Sequence, residues 1–171
     1  MTRKILQMAV LIGSVTATGW LLADSHKHGE SKSLPQVSNA KWAAECSSCH
    51  TLYHPGLLPE RSWSKIMSGL DRHFGENAGL DPLAQKEIAE FLVANSADHA
   101  QNRRSAKIAQ STPAQSTPLR ISETPWFVRK HDEVRNDVWK RPKIGSPANC
   151  TACHNGADKG DFAEARIKIP R

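Results

Sequence analysis

The chain has 171 residues, room for one domain or two small lobes and too few for a large catalytic barrel. Aromatic residues make up 6% and tyrosine occurs once, a thin supply of core material unless something other than protein fills the middle. The formal charge is +6, yet no basic run interleaves with aromatics, which argues against nucleic acid as a partner.

Arg3 and Lys4 precede a mostly apolar stretch, residues 5–23, with a small-residue cleavage pattern before Asp24. Residues 1–23 therefore read as an export signal peptide. The stretch is 19 residues long, so an uncleaved membrane anchor is the alternative. Either way the remaining chain lies outside the cytoplasm, where unpaired thiols usually become disulfides.

Ser38 or Asn39 can cap a short helix carrying Trp42, Ala43 and the run Cys46-Ser47-Ser48-Cys49-His50. Trp63, Ile66, Met67, Leu70 and Phe74 then recur at helical spacing, with Gly75 and Gly79 bracketing the end. Asp81 caps the next helix, Pro82 takes its first position, and Ala84, Ile88, Phe91 and Leu92 form its buried face. The composition changes at 98–118, where residues 109–113 and 114–118 both spell AQSTP and no leucine or aromatic appears. That stretch reads as a flexible linker. Beyond it, Ser146 and Pro147 should open a helix into Cys150-Thr151-Ala152-Cys153-His154, which Asn155-Gly156 ends. The expected architecture is all-α: two small helical haem-binding lobes, 24–97 and 119–171, with little or no sheet, joined by the 98–118 linker.

The four cysteines occur as two CxxCH motifs with none left over, the signature of two covalently bound haem c groups. Cysteines at i and i+3 share one face of a helical turn. Both sulfurs can then form thioethers with the two vinyl groups of one porphyrin, and the next histidine binds iron from the proximal side. A zinc site from two CxxC pairs usually closes a loop of about 15–20 residues, far shorter than the separation here. A redox-active CxxC needs a βαβ context that is missing, and plain disulfides leave His50 and His154 unexplained.

The sixth iron ligands remain to be found. Met67 is the sole methionine after the leader, so two Met-ligated irons are excluded, and its place in the apolar stripe suits packing. His26 and His28 sit in a polar tail. His54 follows His50 too closely to reach the distal face of the same haem, though it could reach the other. His73 falls on or beside the Trp63–Met67–Leu70 face, 23 residues after His50, and His131 lies 23 before His154. His73 and His131 are thus the expected distal ligands, with His54 and then His99 as lesser candidates. The plainer alternatives are a hydrogen-bonded interior histidine for His73 and a surface residue among Lys130, Asp132 and Glu133 for His131. Two histidines on each iron would make both low spin, without an open site, and of low potential.

The chain also resembles the dihaem cytochromes c called DHC. The resemblance rests on Glu45 through His50, Tyr53, Pro55-Gly56-Leu57-Leu58-Pro59, Ser62-Trp63 and His73-Phe74-Gly75-Glu76-Asn77-Ala78. In the second half it rests on Glu123-Thr124-Pro125-Trp126-Phe127, His131-Asp132-Glu133-Val134, Trp139-Lys140-Arg141-Pro142 and Gly145-Ser146-Pro147-Ala148-Asn149. It implies a periplasmic bis-histidine electron carrier, with His73 and His131 as distal ligands. It further implies donation to a small high-spin, oxygen-binding c-type cytochrome (SHP), with a membrane b-type cytochrome upstream. Two other functions compete: a haem enzyme or gas sensor with one open iron, and the electron-transfer subunit of a periplasmic reductase. Arg129, Lys130, Lys140, Arg141 and Lys143 could neutralise haem propionates, face an acidic partner, or simply be solvated.

Overall fold

A computed structural model describes residues 33–171, so the 1–23 leader and the tail carrying His26 and His28 lie outside the described residues. Asn39 caps helix α1 (Ala40–Cys46), its side-chain oxygen accepting from Trp42 N at 2.8 Å. Helix α2 (Glu60–Met67) buries Trp63 and Met67. Helix α3 (Pro82–Ala94) starts as expected, with Asp81 accepting from the amides of Leu83 and Ala84. Its Ile88 and Leu92 meet Trp42, Leu58, Trp63, Met67 and Leu70 in one buried cluster. Each fully buried Leu or Ile stabilises by about 1.5–3 kcal/mol, so this cluster suffices to hold the three short helices together.

The apolar stripe of α2 does not continue to Phe74. A 3₁₀ turn, Leu70–Arg72, intervenes, and Phe74 has a positive φ of 54° and is 46% exposed. A left-handed backbone turns the following side chains off the helical phase.

The 98–118 stretch is also corrected: it carries helix α4 (Arg103–Ser111), capped by Asn102 Oδ1 on Ser105 N at 2.9 Å. Ile108 is 1% exposed and joins Leu34, Leu57 and Ala97 in a second cluster, against which Ile121, Trp126 and Phe162 pack. One large apolar side chain suffices here because α4 approaches a glycine. A Cβ on Gly56 would lie 2.5 Å from Ser105 Oγ. The two AQSTP copies adopt different conformations, the first finishing α4 and the second non-helical. Arg61 of α2 spans them, donating to the carbonyls of Thr112, Pro113 and Ser116 at 3.3, 2.9 and 2.7 Å. Residues Ser31–Arg171 group as one compact unit, with the second cluster drawing on residues from both expected lobes.

Thr124, 1% exposed, caps helix α5 (Pro125–Lys130) through Phe127 N, and the short helix α6 (Asn136–Trp139) follows. The helix expected from Ser146 does not form. Ser146 Oγ accepts from Ala148 N in a turn, and Asn149 (φ −82°, ψ 72°) breaks the helical backbone before a single 3₁₀ turn, Cys150–Ala152. Among the described residues, β pairing is limited to three isolated bridges, so the all-α expectation holds. None of the described helices is long and apolar enough to cross a membrane.

Candidate functional site

Cys46 ends α1, and a turn carries the chain through Cys49 to His50; Cys150 and Cys153 flank the 3₁₀ turn before His154. All four thiols are unpaired. Burial pushes the thiols of Cys46, Cys150 and Cys153 up, with Glu45 adding to the effect at Cys46. Among the described residues no group of three or more His, Cys, Asp or Glu is placed to hold a bare metal ion.

The histidines converge in pairs. His50 faces His73 with ring centres 6.2 Å apart and planes 26° apart. His131 faces His154 with ring centres 6.1 Å apart and planes at 81°. A metal–imidazole bond of about 2 Å, plus about 1 Å from nitrogen to ring centre on each side, puts two axial imidazoles about 6 Å apart, so both pairs fit one iron between them.

Different local devices aim the four rings. His50 Nδ1 donates to the Thr51 carbonyl at 2.8 Å, and His131 Nδ1 donates to the Phe127 carbonyl at 2.9 Å. In both, that bond leaves Nε2 as the lone-pair nitrogen, the tautomer a metal ligand needs. His131 terminates α5 and stacks on Phe127 at 3.9 Å and 19°. His73 follows the Leu70–Arg72 turn, and the ring of the strained Phe74 meets it edge-on at 4.7 Å. The Arg120 guanidinium lies over the Phe74 face, 4.1 Å from the ring centre. His154 packs on Phe162 at 5.4 Å, and its Nδ1 is buried without a hydrogen-bond partner. Burial pushes His73, His131 and His154 below the usual imidazole range; His50 adds to this at His73, and His131 and Arg104 add to it at His154. Neutral imidazole is the ligating form.

His54 and His99, the lesser candidates, are not at either pair. His54 is buried with both nitrogens engaged: Nδ1 accepts from Gly56 N at 2.9 Å and Nε2 donates to the Pro35 carbonyl at 2.8 Å. His99 is a surface residue, its Nε2 2.8 Å from Glu60 Oε2.

One residue gained no role from the motif spacing. Tyr53 lies 4.9 Å from His50 ring to ring, and its hydroxyl donates to the Ala148 carbonyl at 2.9 Å, two residues before Cys150. It ties the first attachment loop to the second. In the sequence it stood out as the lone tyrosine, three residues past His50, and as one of the residues that carry the DHC resemblance.

A family model for dihaem cytochrome c (DHC) matches residues 42–162. Among solved structures, a dihaem cytochrome c from Rhodobacter sphaeroides is 45% identical with a TM-score of 0.66, the match covering 74% of this chain and 98% of that one. The dihaem cytochrome sb-DHC from Shewanella baltica OS155 is 40% identical with a TM-score of 0.63, covering 77% of this chain and 93% of its own. No curated protein matches the chain. A match across both CxxCH motifs, at this identity and in this fold, places the chain in the dihaem cytochrome c family, electron-transfer proteins whose cofactors are two haem c groups.

Proposed function

We propose that this cytochrome is a periplasmic electron carrier in which His50 and His73 hold one haem iron and His154 and His131 hold the other. The observation that carries this reading is the ring separation of about 6 Å in both pairs, the span of a six-coordinate iron. Haem, when bound, supplies a one-electron ferric/ferrous couple. Cys46 and Cys49 tether the first group, and Cys150 and Cys153 the second. Two imidazoles per iron leave no position for oxygen or peroxide, and nitrogen donors favour the ferric state. The Nδ1–carbonyl bonds of His50 and His131 hold those rings in place whichever oxidation state is present, so little rearrangement accompanies electron transfer.

In the fuller form of the proposal, residues 1–23 are an export signal and the two haem-bearing halves meet across 98–118. Electrons arrive from a membrane b-type cytochrome and leave to a small high-spin c-type cytochrome, as the family resemblance implies. The test is the ferric spin state and carbon monoxide binding of the holoprotein, alongside His73→Ala and His131→Ala. The expected result is a wholly low-spin parent that ignores carbon monoxide, with each variant turning one haem high spin. A high-spin parent, or two unaltered variants, refutes the ligand assignment.

A further inference from the structure

Three cations converge on one indole. Lys107 Nζ, Arg129 Cζ and Lys130 Nζ lie 5.9, 5.2 and 5.6 Å from the ring centre of Trp126. With Gln110 and Ser111 they line a groove between α4 and α5. Only Lys130 has a carboxylate near it, Glu164 at 3.6 Å; Lys107 and Arg129 have none within ion-pair distance among the described residues. Like charges gathered with so little counter-charge repel one another, and such a patch gains its worth from an anionic counterpart.

The patch also sits beside a redox site. Arg129 and Lys130 form the last turn of α5, immediately before His131. Trp126 adjoins Phe127, whose ring lies 3.9 Å from that of His131. A partner seated on the indole therefore lies against the same short helix whose end carries His131.

We infer that this groove is the docking surface through which an acidic redox protein exchanges electrons with the second haem. The inference rests on the proposal that His131 and His154 hold that haem. Three cations fall short of the four to eight basic residues that typically fasten a segment to anionic lipid, whereas a small patch beside a half-buried redox centre suits a transient protein encounter. The exchange moves one electron and makes or breaks no bond.

The experiment is stopped-flow reduction of the ferric holoprotein by reduced plant-type 2Fe–2S ferredoxin, an acidic low-potential donor, at a series of salt concentrations. The ferredoxin loses one electron and one haem gains it. The expected second-order rate falls at least about tenfold from low to high salt, and Lys107→Glu/Arg129→Glu/Lys130→Glu lowers the low-salt rate about 10–100-fold and flattens the salt dependence. The milder Lys107→Gln/Arg129→Gln lowers it a few-fold, which keeps the test open if the triple variant does not fold. Ferric horse cytochrome c, a basic and high-potential acceptor, should take an electron from the ferrous holoprotein with no loss of rate in either variant. Unchanged ferredoxin rates in the variants overturn the inference. So does a rate loss accompanied by a shifted haem potential, which would assign the cations to haem propionates. Flotation with phosphatidylglycerol vesicles that the variants abolish, at an unchanged ferredoxin rate, overturns it in favour of a membrane surface. A high-spin ferric parent would instead sink the ligand assignment and is read from the same sample before mixing.

Discussion

His50 and His73 lie within 26° of parallel, whereas His131 and His154 stand at 81°, yet the two ring separations agree to 0.1 Å. The second pair is built from a helix end, a stacked phenylalanine and a carbonyl bond to His131. The first relies on a 3₁₀ turn, a residue at positive φ and a cation from beyond α4. What the two sites share is the gap, together with one Nδ1–carbonyl bond each, from His50 to Thr51 and from His131 to Phe127. On the proposed ligation, coordination constrains the distance between opposing donors strictly and the rotation of each ring about its bond hardly at all, which leaves the backbone free to set that rotation differently at the two sites.

That contrast can be attacked one site at a time. The largest effect should come from ligand exchange. His73→Met and His131→Met each replace imidazole by thioether and should raise the potential of one haem, on the order of 0.1 V, leaving the other in place. A redox titration that shows both haems moving together would mean the sites are not independent. Next in size is a spectroscopic difference within the unaltered ferric protein. Near-parallel imidazoles split the iron π orbitals and near-perpendicular ones leave them almost degenerate. Low-temperature EPR should therefore show one rhombic low-spin signal and one strongly anisotropic signal, the latter lost in His131→Ala. Two rhombic signals would remove the asymmetry.

His54 provides a control away from both pairs. Losing its two buried hydrogen bonds in His54→Ala should cost about 1–3 kcal/mol in denaturant unfolding of the holoprotein. Burial holds its folded pKa below the unfolded value, with the Pro35 carbonyl opposing. The unfolded chain then binds more protons near the imidazole range, so this contribution is present above the unfolded pKa and is lost as pH falls through it toward the folded one. The parent should lose more stability on acidification than His54→Ala; equal slopes would show that His54 titrates normally. The smallest effect belongs to Arg120→Ala. Removing a half-exposed cation from the Phe74 face should cost about 0.5–1 kcal/mol and broaden the first haem's EPR signal while sparing the second.

The attachment chemistry was legible because it is local: two cysteines and a histidine need only one turn of chain. Asn39 and the Asp81-Pro82 pair were legible for the same reason, since a cap acts on amides two or three residues away. His73 was singled out by its place on the apolar face, on a backbone the structure does not keep. A 3.6-residue period run onward from Leu70 puts Phe74 inside, but the positive φ there ends the period and leaves Phe74 out. Helix α4 was hidden because its surroundings, not its composition, stabilise it: Ile108 has a pocket to fill and Gly56 lets the helix come close. No spacing reveals that both nitrogens of His54 are engaged, by the Pro35 carbonyl and the Gly56 amide.

The Tyr53 phenol touches a proximal imidazole with its ring and the backbone leading to the other motif with its hydroxyl. A shift of either attachment loop is passed to its neighbour through that joint. A single side chain thus makes the surroundings of the two cofactors mechanically continuous, although about a hundred residues of chain separate them.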